Sequence, residues 1–427
     1  MFSWPVALAL LSCTSNVIFA WDRVFPFNPG FDIRAVTALA ESLPSHSWEF
    51  GTACQALLEL HNASLSVFSP CQSPAVPDIQ APTQTVHALQ YADQKITIGT
   101  GANAFADGDG ATSDSASLGV CGLLLGKTIQ KYAEAAQSQL DYLVNEAPRW
   151  KNGAISHRSE EAEIWFVSFD LSYYCLALTE MFYRADFVYM APPFIAYSGL
   201  FHDHAALIEI AVEQCKRYRE VLLSTTHPRL WKHIVGNMHP DPGFWSTGNA
   251  WAAAGMTRVL ATVLRATCIS PAQKAQWVDD LTFMIKEIVD GAMLSVDDKG
   301  LLRNYLNDTT WFGEISGSSL LAAVVYRMAV IRPLIFGLSP YVEWADSIRE
   351  TLGEGHITRE GITQPAVNPL DWEDREPFLT GSPEGQSFVV LMYAAWRDCI
   401  LENVCDCDWN SVGKDADEIK SWTKQCS

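Results

Sequence analysis

The chain has 427 residues, with 29 basic against 49 acidic and a formal net charge of −20. A surface that acidic repels phosphate backbones and anionic headgroups, which excludes nucleic acid and the membrane surface as expected partners. Hydrophobic residues at 48% supply core for one large or two ordinary domains, and the flat faces of 15 tryptophans suit sugar rings as well as a core.

In chain order, residues 1–20 come first. They carry no charge, have an apolar middle and end on Ala20. This reads as a secretory signal, although a positive n-region is missing, so the expected location is extracellular. Residues 21–427 are then expected to form a single domain. Sequons at Asn62 and Asn307 fit a glycosylated, exported chain. Of 11 cysteines, Cys13 lies in the signal. The even remainder points to disulfides rather than zinc, with pairs expected among Cys399, Cys405, Cys407 and Cys426. No segment is long and apolar enough to span a membrane comfortably.

Residues 98–116 are rich in Gly, Ala and Asp and read as a long loop. Gly99 and Gly101 lack a third glycine and a preceding strand, so no nucleotide site is expected. Beyond the loop, two kinds of helical segment alternate. Residues 117–126, 186–200, 248–264, 316–330 and 384–396 are apolar nearly all round, and such helices must be enclosed by others. Residues 202–223, 270–294 and 339–353 are amphipathic with charged faces. The enclosed segments recur at steps of roughly 65 residues, a repeat of supersecondary units. Six such pairs predict an all-α, (α/α)6 barrel: a closed toroid whose loop-lined mouth is the natural pocket. An open helical solenoid is the alternative.

Three acids stand at the mouths of predicted inner helices. Asp186 heads the run FVYMAPPF, where partial burial raises a carboxyl pKa toward the range useful for proton transfer. An ordinary helix cap explains it equally well, with Pro192 and Pro193 there simply to kink or break that helix. Asp114 and Glu314 are open to the same two readings. His157 and His233 follow loops with Trp and Gly but belong to no metal pattern, and the chain has neither HExxH nor a G-x-S-x-G elbow. Trp245 and Trp251 flank a Gly-Asn helix start at Asn249, as a sugar platform or as core.

These segments together resemble the six-hairpin glycosidases of glycoside hydrolase families 88 and 105, the unsaturated glucuronyl and rhamnogalacturonyl hydrolases. The likeness runs over about residues 110–400. It rests on DSASLG from Asp114, the Pro-Arg…Gly…His stretch ending near His157, and DFVYMAPPF from Asp186. LWKH (230–233), FWSTGNAW (244–251), GEISGSS (313–319) and SPEGQ (382–386) follow in the family's order. The resemblance implies an oligosaccharide substrate, no metal or organic cofactor, and Asp186 as acid/base assisted by Asp114. It implies that His157, His233, Trp245, Asn249, Trp251 and Glu314 hold the sugar, while Ser316 and Ser318 receive its carboxylate. A monomer is the expected state.

The sequence departs from the family in two places. Thr247 stands where the family has an arginine, and Ile315 replaces the usual threonine. The family also sets a tryptophan almost beside the catalytic Asp, whereas here Trp165 and Asp186 are far apart. Removing residues 166–184 restores EAEIWADFVYMAPPF. The Val-Ser and Tyr-Arg at the segment's ends can be encoded as fungal-like splice sites, so the segment reads as an unspliced insertion. The function implied is removal of a 4,5-unsaturated uronate by hydration of its double bond. The alternatives are an inverting hydrolase of saturated glycosides that uses two carboxylates, or a non-catalytic sugar-binding protein.

Overall fold

The computed structural model describes residues 24–69, 85–158, 183–236 and 240–406. The expected signal and nearly all of the suspected insertion lie outside these residues. Six inner helices form a ring: α2 (Ser47–His61), α4 (Gly119–Gly126, led in by a 3-10 turn over Ser115–Leu118), α6 (Phe187–Phe201), α8 (Ser246–Arg265), α10 (Ile315–Ile331) and α12 (Pro383–Leu401). Each packs on the next, and α12 returns to α2, so the ring is closed. Outside lie α1 (Ile33–Ser42), α3 (His87–Lys95), α5 (Gln130–Asp141), α7 (Ala205–Leu222), α9 (Pro271–Met293) and α11 (Ser339–Thr351). Five of them pack behind the inner helix they follow, and α1 closes the sixth pair against α12. The barrel predicted from the alternation is the fold observed, closed rather than a solenoid.

Composition explains the layering. α6 buries Phe187 through Gly199 on every face and runs through Pro192 and Pro193 without ending. α8 comes so close to α6 that a Cβ on Gly255 would sit 2.1 Å from the Val188 carbonyl oxygen. Only glycine fits there. The outer helices show one buried stripe, as α7 does with Ile208, Ala211, Val212, Cys215 and Tyr218. Two disulfides are seen among the described residues. Cys399–Cys405 lies in the expected region, whereas Cys54–Cys121, which ties α2 to α4, was not anticipated.

In the C-terminal halves of the inner helices, charge is buried and paired. Arg327 of α10 binds Glu59 of α2 at 2.8 Å and Asp398 of α12 at 2.5 Å. Arg397 donates to the carbonyls of Leu60 and Glu59, and Arg258 of α8 donates to Gln55. This layer fills the ring opposite the helix N-termini. Among the described residues, no helix is long and apolar enough to cross a membrane.

Candidate active site

At the N-terminal end of the ring, inner-helix starts and their leading loops bring four predicted residues together: Asp114, His157, Asp186 and His233. A two-stranded antiparallel ribbon, β1 (Tyr183–Arg184) with β2 (Ile234–Val235), joins the Asp186 and His233 loops. A cavity of about 510 Å3 opens beside them, lined by Arg158, Arg184, Asp241, Trp372 and Glu373 among others. That volume suits a small saccharide.

The two aspartates stand at the N-cap positions of their helices yet neither side chain caps. The Asp186 side chain is 16% exposed, its Oδ2 lies 3.7 Å from Arg184 Nε, and its Oδ1 is buried without a partner. Burial raises the Asp114 carboxyl, the Asp186 charge raises it further, and it reaches about 7. Burial also lifts Asp186, but Arg184, then His157 and His233, outweigh that and leave it below its ordinary value. The elevated Asp186 pKa expected from the sequence is therefore corrected for this chain, and Arg184 is the cause.

His157 is buried, pushed down to about 3 by desolvation despite the Asp186 charge, and its Nδ1 lies 3.3 Å from the Ser113 hydroxyl. His233 is held by Asp241, whose Oδ2 is 2.8 Å from Nδ1 and also accepts from the Tyr305 hydroxyl. Desolvation still keeps His233 below its ordinary value, and its Nε2 is buried without a partner. Both imidazoles are thus neutral at neutral pH, and Arg184 is the lasting cation against Asp186. The rings of Trp245 and Trp372 pack on His233 at 4.4 and 4.9 Å, and of the two only Trp372 is in the cavity lining.

Four expected sugar contacts are corrected. Trp251 is wedged between Tyr189 and Phe388 in the core. The Asn249 amide is spent clamping the backbone of Trp231 and Trp245. Glu314 caps α10, accepting from Ser316 N and Gly317 N at 2.6 Å and from Ser246 and Thr247 hydroxyls. Thr247 thus serves that cap. Ser318 is bonded to Glu314 O and Leu302 N, while the Ser316 hydroxyl is buried and unpartnered.

Two participants were missed. Asp241 lies within no family motif, and only its spacing from His233 hints at it. Glu384 repeats the sign that singled out the aspartates, an acid at an inner-helix mouth. It is buried, accepts from Trp48 Nε1 at 2.8 Å, and is raised to about 8 by desolvation, then by Glu49 and Asp186. A carboxyl raised on folding stabilises below its ordinary value, and that contribution is lost as pH climbs through the folded value. Between about pH 4.5 and 8 the protein should therefore lose stability through Glu384 and Asp114. Glu384→Gln keeps the acceptor for Trp48 and should gain on the order of 3 kcal/mol at pH 8. Below pH 4.5 it should gain nothing. Thermal melts across that range test both, and a parallel pH response in the variant would remove Glu384 as a cause.

A closed toroid of helix hairpins, with buried carboxylates at its mouth, defines the six-hairpin class of glycosidases. The profile of Glycosyl Hydrolase Family 88 matches residues 119–332, half of the chain. The chain belongs to that family and is a glycoside hydrolase. No curated protein sequence matches it. Among solved structures, a possible family 105 member from Salmonella enterica serovar Paratyphi A is similar over 85% of this chain and 92% of its own, at TM-score 0.62 and 15% identity. A family 88 glycosyl hydrolase from Bacteroides vulgatus covers 87% and 97%, at TM-score 0.55 and 12% identity. The unsaturated glucuronyl hydrolase of Bacillus sp. GL1 covers 81% and 85%, at TM-score 0.53 and 12% identity. At such identities the likeness is one of fold.

Proposed function

We propose that the protein removes a 4,5-unsaturated uronate from the non-reducing end of lyase-generated oligosaccharides, as an exported enzyme. The observation that carries this is Asp186, a carboxyl that caps nothing, lies beside Arg184 in the wall of a saccharide-sized cavity and leaves one oxygen unpartnered among the described residues. Protonation of C4 by Asp186 lets water add at C5, and the same carboxylate then takes the water's proton. The C5 hemiketal opens to a ketone, which leaves a hemiacetal at C1 that expels the aglycone. Asp114 orients the water or a hydroxyl, and His157, His233 and Trp245 border the ring. Two disulfides fit an oxidising compartment.

Residues 166–184 bear on this reading, and we propose that they are retained intron sequence. Their excision removes Arg184. Burial, the largest influence on Asp186, then lifts its carboxyl toward the range a proton donor needs. The chain lacking these residues should consume the near-ultraviolet absorbance of unsaturated uronyl disaccharides, and the full chain should do so more slowly. Arg184→Leu in the full chain should recover part of the difference. A chromophore left intact by both chain forms would refute the hydration reading, and a transcript retaining the codons would refute the splicing one.

The divergent carboxyls favour a second reading: Asp114, raised, as acid and Asp186, lowered, as base of a conventional inverting hydrolase. That enzyme would release sugar from saturated glycosides and leave the chromophore untouched.

A further inference from the structure

The hairpins that close the ring carry a cluster that the hydrolase reaction does not use. Glu41 lies in the last turn of α1, His61 ends α2 and His87 opens α3. One donor atom from each comes within 4.8 Å of the others. The two imidazole rings are 4.6 Å apart, and His87 Nε2 lies 2.9 Å from Glu41 Oε1. An ion pair between Glu41 and His87 accounts for two of the three residues. It leaves out His61, whose Nε2 is buried with no partner among the described residues.

We propose that Glu41, His61 and His87 form a binding site for one divalent transition-metal ion, remote from the catalytic carboxylates. Two imidazole nitrogens and a carboxylate oxygen are the donor set that zinc accepts, at about 2 Å each, with a fourth position left to water. The side chains of His87 and Glu41 are 44% and 33% exposed, which gives the ion a way in and water its place. Magnesium and calcium, which prefer all-oxygen shells, fit poorly. The ion would act as a brace. It would join α1, the helix that completes the sixth pair against α12, to the first inner hairpin, and so fasten the two ends of the ring.

The test uses tag-free full-length protein stripped of metal, with zinc as the probe. Calorimetry should show one equivalent taken up, and the thermal midpoint should rise with zinc concentration. Substituted cobalt should give the intense visible bands of a four-coordinate, nitrogen-containing site. His61→Gln should abolish the stoichiometric step. Glu41→Gln, at a more exposed position, should weaken it at least tenfold while leaving glycosidase activity without metal unchanged. No saturable uptake at millimolar zinc would overturn the proposal. Uptake that persists undiminished in both variants would overturn it as well, because the ion would then sit elsewhere.

Discussion

Asp186→Asn should lower kcat/KM on an unsaturated uronyl disaccharide by about 10^3- to 10^4-fold, the scale on which general acid–base groups act. The measurement belongs in whichever form of the chain, with or without residues 166–184, turns the substrate over. Asparagine keeps the shape of the side chain but has no proton to give C4 and cannot take one from the attacking water. Folding should be unharmed, because Asp186 caps no helix and its Oδ1 has no partner to lose. Because the fold holds this carboxyl below its ordinary value, chiefly through Arg184, losing the charge should lower the melting temperature slightly at neutral pH without preventing folding. Substrate affinity should survive, so the loss should appear in kcat. A variant that retained a tenth of the activity would move the acid elsewhere, to Asp114 first, since its carboxyl is the one raised to about 7.

The second large effect concerns stability. Arg327→Leu should destabilise the protein by about 3–5 kcal/mol, because it strands two buried carboxylates. Glu59 and Asp398 both direct oxygens at this guanidinium, and all three residues are almost fully buried. Asp398 keeps Arg397 at 2.9 Å, so Glu59 bears most of the loss. The double variant Arg327→Leu with Glu59→Leu should recover much of it, since exchanging a whole buried pair for apolar groups is often neutral. Urea unfolding of the single and double variants measures both. A single variant within 1 kcal/mol of the parent would show that water reaches this layer.

Much of the architecture was legible because five inner helices are apolar on every face, which calls for enclosure by other helices. α2 escaped notice for an understandable reason. Its Gln55 and Glu59 interrupt the apolar run, because they point inward to Arg258 and Arg327. Polar residues paired inside a ring cannot be told from polar residues in water by periodicity alone. The site was legible in the same partial way. Asp114, Asp186, His157 and His233 do converge. Whether an acid at a helix start caps that helix depends on its backbone conformation, which is extended at Glu314 and helical at the two aspartates and is invisible in sequence. Nor could sequence show that Trp251 turns toward Tyr189 and Phe388 while Trp245 turns toward His233.

The buried ionic layer makes the toroid a cup rather than a tunnel. With that floor in place, a sugar that entered by the mouth would have to leave past the same rim.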